Sequence, residues 1–258
     1  MHLFPPLAVA LHAQTTSACG HCTLHAAGVA CADSVRRRVK KRHALFHQGD
    51  GYGLVYSVCS GALKSAVTTA DGAERIVSFL TTGELLGLDG CVNGAYTTTV
   101  IALEDTEVCS VAPAYLPMLS VMAGLGRELL RMQLLLVSVA SANAEVRLAQ
   151  FLLSHALQLS HRGYSAHDFV LKMSRADIGS YLGLSLETVS RSFSALQKMH
   201  LLRVDKRALQ GVDLDGLMRL SQFSQDQKSL GPMPKTSPSH AGVYQMRAKP
   251  VNSAVITT

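Results

Sequence analysis

Short alternations of apolar and polar residues fill the chain between Leu45 and Val111. The alternating runs are Leu54–Val58, Leu63–Thr68, Ile76–Leu80, Thr97–Leu103 and Glu107–Val111. Turn-forming pairs such as Ser60-Gly61, Asp71-Gly72 and Asn93-Gly94 separate them. Because short strands at this spacing are typical of antiparallel sandwiches and barrels, the pattern predicts a β domain in this region.

The period changes after Pro117, and a long helical stretch is predicted from Met118 to Ser160. One face has heptad-like spacing and consists of Leu129, Met132, Leu136, Val139, Asn143 and Val146. Leu130 and Leu134 make a second face apolar as well. Since a helix with two apolar faces must bury both, one is expected to pack on its own domain and the other on a second copy of the chain. A buried helix of a single domain is the alternative.

The segment Met173–Met199 has the pattern of two helices joined by a tight turn. Ser174 and Ser185 are the predicted N-caps of the two helices. Gly179 allows a close helix crossing, and Gly183 supplies the positive φ of the turn. This pattern predicts a helix-turn-helix, followed by a two-stranded wing over residues 200–212 whose basic groups reach phosphates. An ordinary helical hairpin is the alternative.

The predicted DNA-contacting residues lie at the start of the second helix, the part that enters the major groove in this motif. They are Ser185, Glu187, Thr188, Ser190 and Arg191. Arg191 can donate two hydrogen bonds to a guanine, whereas Glu187 can accept one from a cytosine or orient the arginine.

The charge of the chain is unevenly distributed. The 258 residues carry a net charge of +6, with +5 over residues 1–45, −5 over 46–161, +3 over 162–220 and +3 over 221–258. An acidic middle followed by a basic segment indicates two domains, the basic one suited to nucleic acid. No apolar run is long enough to cross a membrane, so no membrane partner is predicted. The polar tail from Ser221 is predicted to be disordered.

The cysteines fall into two groups. Cys19, Cys22 and Cys31 form a C-x2-C-x8-C pattern in the N-terminal segment. A C-x2-C pair can ligate a metal from one tight turn, and zinc, an iron–sulfur cluster and a redox disulfide all remain open to it. Cys59 and Cys91 are interpreted as small packing residues. A metal-dependent β-barrel enzyme is not predicted, because residues 52–111 contain no histidine to help hold a metal.

Three motifs resemble the CRP/FNR family of bacterial transcription regulators. The segment LKMSRADIGSYLGLSLETVSRSF at residues 171–193 resembles its FNR branch, and LFHQGD at 45–50 and GELLGLDG at 83–90 resemble its sensor domain. The resemblance covers about residues 36–220 and implies an α+β fold. In that fold, a cysteine-rich segment (1–35) precedes an antiparallel β jelly-roll sensor domain (36–116). A dimerisation helix (117–160), a winged helix-turn-helix (161–220) and the disordered tail (221–258) follow.

The resemblance also implies a cofactor and its ligands. Members of this branch bind a 4Fe-4S cluster through three N-terminal cysteines and one cysteine of the sensor domain. In this chain the corresponding residues are Cys19, Cys22, Cys31 and Cys109. A cyclic nucleotide is not expected, because Gly83-Glu84 is not followed by the Arg-Ser/Thr pair that holds the phosphate in the family's nucleotide-binding members.

The implied partners are a second copy of the chain, RNA polymerase and a palindrome of TTGAT-type half-sites read by Glu187, Ser190 and Arg191. The implied function is a cytoplasmic, oxygen- or redox-responsive transcription regulator, not an enzyme. The alternative is the same DNA-binding dimer without a cluster, controlled by its abundance or by thiol oxidation. Ser192 occupies a position that is usually apolar in the motif.

Overall fold

The alternating segments form eight strands that pair into two four-stranded antiparallel sheets. The computed structural model describes Leu24, residues 34–140 and residues 143–229, with side chains up to residue 221. The strands are β1 (Ser34–Val39), β2 (Ala44–Phe46), β3 (Val55–Ser60), β4 (Ala62–Thr68), β5 (Glu74–Thr81), β6 (Leu85–Leu86), β7 (Thr99–Ala102) and β8 (Thr106–Val111). One sheet has the order β1-β8-β3-β6 and the other the order β2-β7-β4-β5. The predicted β sandwich is thereby confirmed.

The interior of the sandwich is filled by one side of each alternating strand. Val58, Leu63 and Val108 are fully buried there, and the rings of Phe46 and Tyr96 stack with centroids 3.9 Å apart. The opposite side of the β1-β8-β3-β6 sheet carries a second apolar cluster of Leu24, Cys59, Cys109 and Val111, against which Leu85 and Leu116 pack. Successive side chains of a strand point to opposite faces, so β8 contributes to both clusters.

Two helices follow the sandwich: α1 (Met118–Ala140) and α2 (Ala144–His161). The prediction of one continuous helix over 118–160 is therefore wrong. Asn143 has an extended backbone, and its side chain accepts a hydrogen bond from the Glu145 N–H at 2.9 Å, so it is the N-cap of α2. Val146 is a buried residue of α2 and does not continue the heptad seam of α1.

The C-terminal unit contains α3 (Arg175–Leu182), α4 (Leu186–Lys198) and α5 (Leu214–Ser229), with β9 (Phe169–Val170), β10 (Arg203–Asp205) and β11 (Ala208–Gln210). These short strands pair in the order β10-β11-β9, which adds one strand to the predicted two-stranded wing. Leu148 and Leu152 of α2 share one core with Ile178, Val189 and Leu196. Because α2 is buried in this core, it packs as part of the C-terminal unit.

Two boundaries differ from the sequence prediction. The first strand, which carries the basic residues Arg36–Arg38, already begins at Ser34, inside the cysteine-rich segment predicted over residues 1–35. At the other end, α5 continues to Ser229, although disorder was predicted from Ser221. Gln and Lys are good helix formers, so a polar composition does not end a helix that Leu217 already anchors in the core. No described helix is long and apolar enough to cross a membrane.

The turn between α3 and α4 depends on two glycines. Gly183 ends α3 with φ 65°, the left-handed conformation that glycine adopts without strain. At Gly179 an added Cβ would lie 2.6 Å from the carbonyl oxygen of Leu184, so the two helices can approach only in the absence of a side chain. The predicted roles of both glycines in the turn are confirmed.

We expect Gly179→Ala to lower the free energy of unfolding of the C-terminal unit by about 1–3 kcal/mol, because the extra methyl group must displace backbone. Gly126→Ala is the matched control. Gly126 also lies within a helix, but no atom is within 4 Å of its Cβ position, and alanine favours helix over glycine. Urea unfolding of both variants measures the difference, and equal effects would contradict the steric explanation.

Candidate nucleic-acid interface and the contacts that position it

Helix α4 presents a polar face to solvent at its N-terminal end. The Ser185 hydroxyl accepts a hydrogen bond from the Thr188 N–H at 3.0 Å and thereby caps the helix. Val189, Phe193 and Leu196 bury the other face in the core. The remaining N–H groups and the helix dipole make this end attractive to phosphate and other anions.

The structure brings the predicted DNA-contacting residues together on this exposed end. Arg191 Nη2 donates to Glu187 Oε1 at 2.5 Å, and their side chains are 77% and 73% exposed. Ser185 is exposed too, whereas Thr188 and Ser190 are half-buried. The Ser190 hydroxyl donates to the Leu186 carbonyl at 2.9 Å, which leaves its oxygen able to accept. This surface therefore combines a cation, an anion and hydroxyl groups, a set that can read base edges.

The wing carries basic side chains beside the helix-turn-helix. Arg203 lies on β10, and Lys206 occupies the β10–β11 turn with φ 54°. Arg207 donates to the Lys172 carbonyl at 3.1 Å, which ties the wing to the segment between β9 and α3. Exposed cations of this kind are suited to contacts with the phosphate backbone.

Ser192 lies within the core of the same unit. It is fully buried, and its hydroxyl has no hydrogen-bond partner among the described residues. A buried hydroxyl without a partner is unfavourable, which is consistent with the usual preference for an apolar residue at this position. On the neighbouring Phe193, the Arg175 guanidinium lies 5.3 Å from the ring centroid and covers the core with a cation–π contact.

A partly buried ion pair connects the β4–β5 hairpin to α3. Lys64 Nζ lies 3.0 Å from Asp177 Oδ1 and 3.2 Å from Glu74 Oε1. Burial alone would lower the pKa of Lys64, but its hydrogen bonds to the two carboxylates outweigh that effect and raise it. Burial would likewise raise the pKa of Asp177, but hydrogen bonds from Ser174 and Lys64 lower it. Since Asp177 is also part of the α3 capping box, the sensor and the helix-turn-helix share one carboxylate.

Arg131 of α1 connects the helix to the sensor. It donates to the Ser78 hydroxyl and to the Phe79 carbonyl, the latter at 3.1 Å. It also lies 3.5 Å from Glu84 Oε1 and 2.5 Å from Glu128 Oε2. These contacts border a cavity of about 670 Å³ between α1, α2 and α3. Arg131 therefore places a positive charge beside Glu84, although the two residues are far apart in the sequence.

The cysteines of the sensor differ in their surroundings. Cys109 lies on β8 at 3% exposure, and its Sγ is 3.1 Å from Sγ of Cys59. Cys59 is buried as predicted, but Cys91 is exposed, so the packing interpretation of Cys91 is wrong. Cys19, Cys22 and Cys31 lie outside the described residues. Within the described part of the chain, no group of three or more His, Cys, Asp or Glu residues is placed to hold a metal.

Sequence reasoning missed the residues that join the two units. Lys64 was assigned only to a strand, and Arg131 was not considered at all. The available signal was a lysine in a run without other charged residues, Leu63–Val67, because a charged residue on a mostly buried strand usually has a partner. The contact between Cys59 and Cys109 had no signal in the sequence, since it depends on the register of β3 against β8.

Two protein-family patterns match this chain. The cyclic nucleotide-binding domain matches residues 36–119, and the Crp-like helix-turn-helix domain matches residues 146–220. The second match begins within α2, in agreement with the packing of that helix in the C-terminal core.

Individual proteins are similar across both units. The transcriptional regulatory protein btr of Bordetella pertussis is 38% identical over 72% of this chain and 80% of its own length. The transcriptional activator protein FnrA of Stutzerimonas stutzeri is 38% identical over 74% of this chain and 82% of its own length. The solved structure of FixK2 from Bradyrhizobium japonicum has a TM-score of 0.64 and 27% identity, and the match covers 72% of this chain and 96% of that one.

We expect the contact between Lys64 and Asp177 to stabilise the protein measurably. A double-mutant cycle with Lys64→Met and Asp177→Asn should give a coupling energy of about 1 kcal/mol or more in urea unfolding at neutral pH. The more exposed pair Lys172–Glu104, at 2.7 Å, is the control and should couple more weakly.

The Lys64–Asp177 coupling should also depend on pH. Because the folded-state pKa of Asp177 is lowered, the stabilisation is fully present above the unfolded pKa near 4 and is lost as pH falls through the folded value. A coupling no larger than that of the control pair, or one that persists in strong acid, would contradict this assignment.

Proposed function

We propose that this chain, which belongs to the CRP/FNR family of bacterial transcription regulators, couples the redox state of its cysteines to the pairing of α1 and the reading of a palindromic DNA site. Relatives that are 38% identical across both units confirm the family resemblance found in the sequence. The chain is a DNA-binding transcription regulator of the FNR/CRP type and not an enzyme. Its signal, cofactor and base contacts are our proposal.

The observation that carries the proposal is the exposed N-terminal end of α4. Arg191 pairs with Glu187 one turn earlier on α4, so its guanidinium lies beside that carboxylate. Its guanidinium can exchange this contact for a bidentate pair of hydrogen bonds to guanine, with Glu187 then accepting from a cytosine or orienting the arginine. Ser190 contributes a second base contact, whereas Ser185 and Thr188 at the helix start bind phosphate.

A palindromic site requires two copies of α4, and α1 offers the surface that pairs them. Its apolar side chains are exposed along the whole helix, for example Leu129 at 58% and Leu136 at 70%. An apolar surface of this length is typical of a protein interface. Pairing of α1 in a symmetric dimer would present the two recognition helices about one DNA turn apart.

The N-terminal cysteines and Cys109 are proposed to hold a 4Fe-4S cluster. Leu24, two residues beyond Cys22 in the sequence, is fully buried in the cluster that contains Cys109 and Val111. Thiolates are the ligands that such clusters require, and Cys109 with Cys19, Cys22 and Cys31 would supply four. When bound, the cluster provides an oxygen-labile link between the segment and the sheet.

Packing connects the surroundings of Cys109 to α1. Leu85 lies against the cluster of Cys109 and Leu24 on the outer face of the sheet. The Cβ position of Gly124 on α1 is 3.4 Å from Leu85 Cδ1 and 3.1 Å from Leu88 Cδ1. The backbone of α1 packs directly on these leucines. A change in the packing of Leu24 against Leu85 would therefore change the position of α1. We propose this packing as the path from the sensor to the dimer interface.

A cyclic nucleotide is not part of the proposed function. Glu84 follows Gly83 where nucleotide-binding relatives have their Gly-Glu motif. Two arginines reach Glu84, Arg131 and Arg162. The N–H groups of Arg131 already contact Glu84, Glu128, Ser78 and Phe79. A phosphate at this place would have to compete with Glu84 for both guanidinium groups and with Glu128 for that of Arg131.

RNA polymerase is the proposed partner of the β4–β5 turn. Asp71 is exposed there, and it accepts hydrogen bonds from the Thr69 hydroxyl at 2.5 Å and the Ala73 N–H at 3.3 Å. These hydrogen bonds lower the pKa of its carboxyl, so the turn presents a negative charge in a fixed position.

We expect Arg191→Ala to lose about 1–3 kcal/mol of discrimination at one base pair of a TTGAT-type half-site, because the bidentate contact is removed. Arg203→Ala is the matched control and should weaken binding to all sequences alike, as loss of a phosphate contact does. Fluorescence anisotropy with the palindrome and single-base variants, at one salt concentration, measures both. A uniform loss with Arg191→Ala would make it a phosphate contact instead.

Without oxygen, the protein reconstituted with iron and sulfide should contain about four irons per chain and form a dimer. Cys109→Ser should lose the iron, whereas Cys91→Ser, which changes an exposed cysteine of the same domain, should keep it. Leu136→Asp should bind iron normally but remain a monomer, which separates cluster assembly from pairing. Iron analysis and sedimentation measure the two properties. An iron-free anaerobic protein that binds the palindrome would favour the regulator without a cluster.

A further inference from the structure

The sulfurs of Cys59 and Cys109 are close enough to react with each other. Their Sγ atoms are 3.1 Å apart on neighbouring strands, and the two residues are 6% and 3% exposed. Both lie on the outer face of the β1-β8-β3-β6 sheet, in the cluster with Leu24 and Val111. The ligand set proposed for the cluster uses Cys109 but not Cys59.

The register of the two strands explains this proximity. Ser57 is directly opposite Cys109, so Cys59 would ordinarily be a diagonal neighbour. The pairing shifts between Val58 and Ser60, however, because Cys59 is the extra residue of a β-bulge. A bulge re-aims side chains and leaves one residue outside the ladder. Closing a disulfide requires the sulfurs to approach to about 2.05 Å, a movement of about 1 Å from their present positions.

We propose that Cys59 and Cys109 form a disulfide when a peroxide oxidises the cluster-free protein. One thiolate attacks a peroxide oxygen, the O–O bond breaks, and a sulfenic acid and one water are formed after protonation. The second thiol then attacks the sulfenic sulfur, the S–O bond breaks, and a second water leaves as the S–S bond forms. Two thiols lose two electrons in total, and one hydrogen peroxide is reduced to two waters.

The effect of this disulfide on iron binding rests on the proposed function, because Cys109 is the proposed fourth ligand of the cluster. A metal-bound cysteine is a thiolate, so a sulfur in a disulfide is unavailable to iron. The bound cluster would protect Cys109 from oxidation, and the disulfide would prevent reassembly until a thiol reductant cleaves it. The chain would thereby distinguish loss of the cluster from exposure to peroxide.

The disulfide is tested on the full-length, cluster-free wild-type protein treated with one equivalent of hydrogen peroxide. Remaining thiols are alkylated, and the digested protein is analysed by mass spectrometry without reduction. We expect the Cys59–Cys109 linked peptide in most chains and its disappearance after dithiothreitol. Absence of this peptide, or linkage of Cys109 chiefly to an N-terminal cysteine, would overturn the proposal.

Two variants sharpen the experiment. Cys59→Ser must lose the linked peptide, whereas Cys91→Ser must retain it, since Cys91 is exposed and belongs to neither cluster of buried residues. Untreated Cys59→Ser should still take up as much iron as the wild type, because Cys59 is not a proposed ligand. Loss of iron binding in this variant would contradict that assignment.

The same protein separates failure of this proposal from failure of the proposed function. A wild-type protein that forms the linked peptide but takes up no iron would refute the cluster and leave the thiol pair intact. A protein that takes up iron but forms no linked peptide would refute the thiol pair alone. Iron uptake after peroxide should fall severalfold and return after dithiothreitol.

Discussion

The exposed apolar face of α1 is the constraint on which the function of this structure depends. Buried apolar area contributes about 25 cal/mol per Å², so a helix whose leucines remain in water gives up a large stabilisation that pairing would recover. The α4 surface of one chain can read only one half-site. In the proposed dimer, specific binding to a palindrome would therefore depend on the free energy of pairing of α1, and any contact that changes the position of α1 would change DNA binding.

The contacts of α1 with its own chain are few and specific. At its start, β8 leads through a short turn at Pro113–Tyr115 into the helix, so the strand that carries Cys109 is also the strand that positions α1. Gly124 rests on Leu85 and Leu88, and Arg131 holds the middle of the helix against Ser78 and Phe79. At its end the helix stops before the Asn143 cap. The helix-turn-helix is therefore positioned by separate contacts such as Lys64–Asp177, not by a continuous rod.

The sequence predicted those features that are set by local chemistry. Ser174, Ser185, Gly179 and Gly183 have the expected roles because caps and tight turns depend on residues only a few positions apart. The alternation of the strands likewise predicted the sandwich. The break at Asn143 was missed because the apolar spacing continues through it, and an N-cap in a long apolar pattern gives a weak signal.

Long-range contacts were not predictable in the same way. Arg131 is distant in sequence from Ser78, and Lys64 from Asp177, so their pairing requires the assembled fold. The neighbourhood of Cys59 depends on a one-residue shift of register, which no composition or period reveals. Each of these features joins two elements that are distant in the sequence. The contacts of Arg131 and Lys64 also bear on how the β sandwich and the helix-turn-helix are positioned.

The two proposed roles of the Cys109 sulfur, as a cluster ligand and as a disulfide partner, exclude each other. A single thiolate can ligate iron or share a disulfide with Cys59, but it cannot do both. Because thermodynamic coupling is reciprocal, the free energy that Cys109 would contribute to cluster binding equals the free energy by which the bound cluster would disfavour the disulfide. Both proposed states would involve the same place in the sheet, where Leu24 and Leu85 pack near Cys109 and Leu85 contacts α1. Oxygen, acting on the proposed cluster, and peroxide, acting on the thiol pair, would therefore both change the state of the Cys109 sulfur. Only the disulfide formed by peroxide would require a thiol reductant before the chain could bind iron again.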